Sequence, residues 1–220
     1  MDPSLYVKTF VLIGVVYSIV LHEIAHALAA LWCGDPTAQR LGRITLNPIP
    51  HLDPIGSIVL PLLGALGVIP FFGWAKPVPV NPFNYRKRVL GDVVVSLAGI
   101  AVNLTIAFMV LLFTDLCLRL GFFAYDSAQI TVFRYIALAN IFLALFNLLP
   151  VPPLDGHHVM KYLLPAEMRG AYQSLGMMGI LVVVLLLQIP VIRLALFSAV
   201  SLLRNLMGAT VDGILSVLGL

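Results

Sequence analysis

The sequence predicts an all-α polytopic membrane protein with about five transmembrane helices, a re-entrant segment and a short membrane-associated β-hairpin. Three observations carry that expectation. Hydrophobic residues make up 60% of the 220 positions and charged residues only 10%, with a mean hydropathy of +1.03. Apolar stretches long enough to enter a bilayer recur along the whole chain. The basic residues gather in a few loops between them, so the net charge of +3 is a topology signal and not a nucleic-acid footprint. An ordinary soluble domain is excluded.

The first apolar run extends from Leu5 to Trp32. No charged n-region with a short apolar core and small-residue cleavage site precedes it, so it is expected to persist as a mature helix. Residues 33–90 are read as the hairpin and re-entrant region. Ile44 and Leu46 alternate within Arg43 to Pro48, which suggests a short strand or hairpin. Ile55 to Phe72 is broken by Gly56, Pro61, Gly64, Gly67 and Pro70, and it either spans or dips in and returns. Core helices are expected over 91–118 and 130–149, within the apolar runs Val89 to Leu118 and Ile130 to Leu149. An Asp-Gly motif occupies 150–160. A C-terminal helix pair is expected over 173–220, from Leu175 to Ile189 and Val191 to Leu220, divided by a turn at Pro190. Cys33 and Cys117 fall at the ends of different spans, and no disulfide between them is expected.

Within the first run stands His22-Glu23-Ile24-Ala25-His26. Positions four apart share a helix face, so His22 and His26 can aim two imidazoles at one cation. Glu23 is offset by one residue, beside the metal and placed to take a proton from a water. A pattern with three fixed positions arises by chance in many chains. Each such group, however, costs about 3 kcal/mol at a bilayer centre, and this weighs against accident.

Asn147 to Gly156 closes the 130–149 helix, and Pro150, Pro152 and Pro153 force an extended, unwound backbone from which Asp155 projects. Two His and one carboxylate leave the fourth position of a tetrahedral zinc open for water, which makes Asp155 the third candidate ligand. The competing reading of Asp155 is a helix N-cap. His51, His157 and His158 rank below it as ligands, because a His at a span end is more often interfacial or a partner of a ligand. The choice at Ile55 to Phe72 bears on this. A spanning segment would put Asp155 on the face opposite His26, and a re-entrant one puts both toward the same face. The re-entrant topology also collects Arg40, Arg43, Lys76, Arg86, Lys87, Arg88, Lys161 and Arg169 on one side, against Lys8, Arg119, Arg134 and Arg193 on the other. The richer side is then cytoplasmic.

With both elements in hand, the chain resembles the site-2 protease family of intramembrane zinc metalloproteases. His22 to His26 matches the first motif of that family. Asn147, Pro150, Pro152, Leu154, Asp155 and Gly156 match the second. Gly73 to Pro82 adds a likeness to its compact members, which lack PDZ or CBS domains. The family also carries Ala-Gly-Pro-x-x-Asn, where this chain reads Ala98-Gly99-Ile100-Ala101-Val102-Asn103. Asn103 is either an oxyanion donor or an interhelical hydrogen bond, and Asn147 is a further candidate for oxyanion or substrate contact. Val78 and Val80, between Pro77 and Pro79, keep their N–H donors on one edge of an extended segment that could pair with an unwound substrate; a plain rigid loop is the alternative.

The resemblance implies a single membrane-embedded peptidase domain over 1–220, with one Zn2+ held by His22, His26 and Asp155 and with Glu23 as the base. Its implied partners are a transmembrane protein substrate, the lipid bilayer and a regulatory membrane protein or a second copy of the chain, with no nucleic acid. The implied location is a prokaryotic inner membrane, with the site toward the cytoplasmic face. The C-terminal pair is a candidate gate. A non-proteolytic membrane metal-binding protein or transporter is the alternative class.

Overall fold

The computed structural model describes residues 3–59, 73–176 and 178–219. Eight α-helices appear among them: α1 (Pro3–Cys33), α2 (Thr37–Arg40), α3 (Arg88–Arg119), α4 (Ala128–Asn147), α5 (Gly156–Leu163), α6 (Ala166–Gln173), α7 (Met178–Gln188) and α8 (Pro190–Val217). Four of them, α1, α3, α4 and α8, are long and apolar enough to cross a membrane. A fifth span exists only if α6 and α7, bent by 89° at their junction, count together. The expected Leu175 to Ile189 span is thus an 11-residue helix, α7, too short alone for a hydrocarbon core of about 30 Å.

The chain divides into two compact units, Ile19–Gly99 and Met1–Ser18 with Ile100–Leu220; α1 and α3 run through both. In the larger unit α4 packs against α8, and α8 against α7. Ala107, Ile141 and Val200 form one buried cluster there. Helix α4 begins where the Ser127 hydroxyl accepts the Ile130 N–H, a side-chain cap on its first turn. Asn140, fully buried, donates to the Ser18 hydroxyl at 2.8 Å and to the Ile136 carbonyl at 2.9 Å, so its cost in an apolar interior is offset by partners.

In the smaller unit α1 stops because Gly34 takes φ +112°, where an L side chain would be strained. Its N–H reaches the Leu31 carbonyl and the Asp35 N–H reaches that of Ala30, closing the last turn. Past the short α2 the chain turns irregular. The hairpin expected at Arg43 to Pro48 is not there, and no β-strand occurs among the described residues. Local bonds displace the ladder. The Arg43 N–H goes to the Ala38 carbonyl, Asn47 N–H to the Thr45 hydroxyl and Ile49 N–H to the Asn47 side chain. Ile44 packs on Ala27, Ala38 and Val78, while Leu46 is exposed, so the two do not share a buried face.

Residues 60–72, which hold most of the expected re-entrant segment, lie outside the described residues. Its first part, Pro54–Val59, is a short π-helix.

Residues 73–81 form an irregular strap tied to its own unit by backbone groups. Trp74 N–H bonds the Gly56 carbonyl, Lys76 N–H that of His51, and the Lys76 carbonyl accepts from the Arg43 guanidinium. The far end is clasped by Asp35, fully buried, whose carboxylate accepts from the Asn81 N–H at 2.6 Å, the Asn84 amide at 2.7 Å, and both the N–H and hydroxyl of Thr37. Burial pushes this carboxyl up, but the bonds from Asn81, Thr37 and Asn84 outweigh it and leave it below the ordinary value. A lowered folded pKa stabilises fully above the ordinary carboxyl value of about 3.9 and is lost as pH falls through the folded value. Asp35→Asn is therefore expected to cost about 1–3 kcal/mol at neutral pH. The gap between variant and wild type should close as melts are run toward acid; a constant gap would contradict the clasp.

Candidate metal centre

The smaller unit assembles one half of the expected site on two helices. Four-residue spacing on α1 turns His22 and His26 the same way, and their Nε2 atoms lie 3.0 Å apart. Both are buried. Two nitrogens bound to one tetrahedral zinc at about 2.05 Å would sit roughly 3.3 Å apart, so the pair already has near-bidentate spacing. The His26 Nδ1–H donates to the Val95 carbonyl of α3 at 2.7 Å. That bond leaves the Nε2 lone pair facing the shared point, as metal-ligating imidazoles require.

Gly99 on α3 makes the approach feasible. A Cβ there would fall 2.5 Å from both His22 Cε1 and His26 Nε2, closer than any real contact. The small-residue face of α3 thus rests on the imidazoles themselves. Donor chemistry and spacing both suit a zinc ion.

Glu23 is buried beside the pair, and its Oε2 accepts the Val78 N–H at 2.7 Å. The strap therefore fixes the orientation of this carboxylate. Val78, one of the two positions expected to offer an N–H to a substrate, has its donor engaged within the protein, and its side chain is buried. Val80 is half-buried against the cluster of Ala30, Tyr85 and Val95.

The other expected residues belong to the larger unit. Asn103 is buried on α3. Asn147 ends α4, its side-chain N–H bonded to the Leu143 carbonyl at 3.0 Å. Beyond it the chain is unwound but not extended as expected. It folds into successive tight turns, with Leu149 N–H on Phe146, Val151 N–H on Leu149 and Leu154 N–H on Val151. Prolines 150, 152 and 153 lack N–H groups, so the remaining donors close turns locally instead of extending a helix. Asp155 is half-buried at the start of α5. Its position there is that of an N-cap, yet the side chain makes no capping bond to the helix. Gly156 presses its Cα onto the Leu148 and Leu149 backbone, where a side chain would not fit.

The three lower-ranked histidines take local partners. His51 is fully buried, with Nε2 at 3.1 Å from the Thr45 carbonyl. His157 Nδ1 lies 2.6 Å from the Leu154 carbonyl, and His158 Nδ1 lies 3.3 Å from the Lys161 ammonium. Sequence reasoning missed the Val95 carbonyl and the Val78 contact with Glu23, because a backbone group carries no side-chain signature. It also passed over Asp35, although Asp35-Pro36-Thr37 directly after a span is recognisable turn chemistry.

The family model described as Peptidase family M50 matches residues 122–189, which include Asn147 and Asp155. The chain is 37% identical over 197 residues to "Putative zinc metalloprotease YwhC" of Bacillus subtilis (strain 168), covering 86% of this chain and 87% of that protein. It is 33% identical over 204 residues to "Putative zinc metalloprotease Rip2" of Mycolicibacterium smegmatis, covering 90% and 74% respectively. A protein of the same name from Mycobacterium tuberculosis is 31% identical over 212 residues, covering 95% and 79%. No solved structure matches the chain.

Proposed function

The chain belongs to peptidase family M50 and is a zinc metalloprotease, and from that premise we propose that it cuts a peptide bond in or near a transmembrane segment of another membrane protein. The observation that carries the proposal is the buried His22 and His26 pair, its Nε2 atoms 3.0 Å apart with Glu23 alongside, in a helix apolar enough to cross a bilayer. Asp155 is the carboxylate we propose as third ligand beside His22 and His26, the donor set of a hydrolytic zinc with one position left open for water.

Zinc bound there would supply Lewis-acid polarisation of the scissile carbonyl and acidify a water. Glu23 takes the proton from the attacking water and later delivers it to the leaving amine. The Val78 N–H, on one carboxylate oxygen, leaves the other to face the reacting water. Asn103 or Asn147 would donate an amide to the developing oxyanion. Substrate helices must unwind first, because helical carbonyls are shielded and already bonded, so Gly and Pro near the cut favour cleavage. Val80 would then offer its N–H to the unwound segment.

The loop asymmetry of Lys and Arg supports a site toward the cytoplasmic face, and the bacterial relatives support a prokaryotic inner membrane. The C-terminal pair α7 and α8 is the candidate gate, since Gly179 on α7 lies against the Pro152 carbonyl in the loop that leads to Asp155. The test is cleavage of a reconstituted transmembrane substrate by wild type and Glu23→Gln in the same bilayer. Equal turnover by the variant would refute the assigned base.

A further inference from the structure

Helix α8 carries Arg204, Asn205 and Asp212 in its C-terminal half, beyond Arg193 in its first turn, and ionisable groups at membrane depth need a partner, a wet cavity or a ligand. They border a cavity of about 410 Å³, formed with the C-terminal half of α3 and the start of α4. It lies wholly within the larger unit, and the proposed peptidase residues do not line it.

The acids of this cavity are already engaged. Arg119 places Nη2 at 2.7 Å from Asp212 Oδ1 and Nε at 3.5 Å from Asp115 Oδ2. The two remaining guanidiniums are different. Arg134 stacks over the Tyr125 ring, 4.0 Å from its centroid, and has no carboxylate among the described residues. Arg204, on the α8 wall, makes neither an ion pair nor a hydrogen bond within the described residues. The lining holds two guanidiniums and two carboxylates; because Arg119, outside the lining, engages both carboxylates, the uncompensated positive charge falls on Arg134 and Arg204. Leu111 and Leu118 line the same space, so its surface is part polar and part apolar.

A guanidinium fork matches phosphate oxygens two at a time, and an apolar wall beside it suits the glycerol and upper acyl carbons of a lipid. We propose that this cavity binds a glycerol-linked phosphate, clamped by Arg134 and Arg204, with Asn205 and Tyr125 at hand for the remaining oxygens. The chemistry is that of an anionic phospholipid headgroup, and a soluble glycerol phosphate would present the same group. In either case the ligand ties α8 to α3 and α4.

The test uses the whole zinc-loaded chain in phosphatidylcholine nanodiscs. Phosphatidylglycerol is titrated into the bilayer, or glycerol 3-phosphate into the buffer, and retained ligand is read by native mass spectrometry. Wild type is expected to retain phosphatidylglycerol, and Arg134→Gln and Arg204→Gln each to weaken retention about tenfold, the loss of one charge-assisted bond. Retention of glycerol 3-phosphate with the same dependence on both arginines would support the phosphate site and assign it to a soluble ligand. Failure to bind either probe, or binding indifferent to both substitutions, would overturn the proposal. Should a variant fail to fold, phenylglyoxal labelling of wild type decides: phosphatidylglycerol should shield Arg134 and Arg204, and unshielded reaction at both would overturn it.

Discussion

Glu23→Gln is expected to hold zinc as wild type does and to lose turnover by a factor of about 10² to 10⁴, the usual worth of a positioned general base. The substitution changes little else. Glutamine has the shape of glutamate, and its side-chain oxygen can still accept the Val78 N–H that orients Glu23 at 2.7 Å. What it cannot do is take a proton. Zinc content per chain, measured beside cleavage of a membrane-embedded substrate, separates the two effects. A metal transport site would gain nothing from a carboxylate one step off its ligands, so transport function would survive this change. Loss of zinc together with activity would show that Glu23 holds the metal instead.

Gly99→Ala should weaken zinc binding by about 10- to 100-fold, the range found when the surroundings of a ligating histidine are altered. The added carbon would sit 2.5 Å from both imidazoles. The His26 ring has no easy escape, because it is pinned through Nδ1 to the Val95 carbonyl one turn away on the same α3. Either the helices separate or the nitrogens lose their 3.0 Å spacing. Overpacking of this kind also costs about 1–3 kcal/mol of stability. Gly170→Ala is the control, since a Cβ there meets nothing within 4 Å. Zinc affinity of both variants against a graded series of chelators measures the difference. Wild-type affinity in Gly99→Ala would mean that α3 does not close over the imidazoles.

The sequence was legible where the chemistry is local and periodic. Four-residue spacing was enough to put His22 and His26 on one face, and long apolar runs were enough to find α1, α3, α4 and α8. Gly99, noted only as part of the Ala98 to Asn103 pattern, lies against the imidazoles. Legibility failed where backbone groups choose among several partners. Ile44 and Leu46 alternate as a strand would, but Thr45 and Asn47 supply side-chain bonds that satisfy the backbone without a ladder. The prolines before Asp155 predicted loss of helix correctly and an extended chain wrongly, because the free N–H groups of Leu149, Val151 and Leu154 close turns. Nothing in the side chain of Val78 foretells that its amide would hold Glu23. That Arg204 and Arg134 line one cavity was likewise not legible, because they stand on different helices far apart in the chain.

The central claim is that the imidazoles of α1 and the carboxylate of Asp155 share one zinc ion. A zinc-loaded structure of the Glu23→Gln chain in a bilayer, with the metal located by its anomalous scattering, tests this most directly. We predict one zinc per chain, with nitrogens of His22 and His26 at about 2.0–2.1 Å and an oxygen of Asp155 at about 2.0–2.2 Å. A zinc ion bound by the two histidines with Asp155 turned away from it would contradict the account.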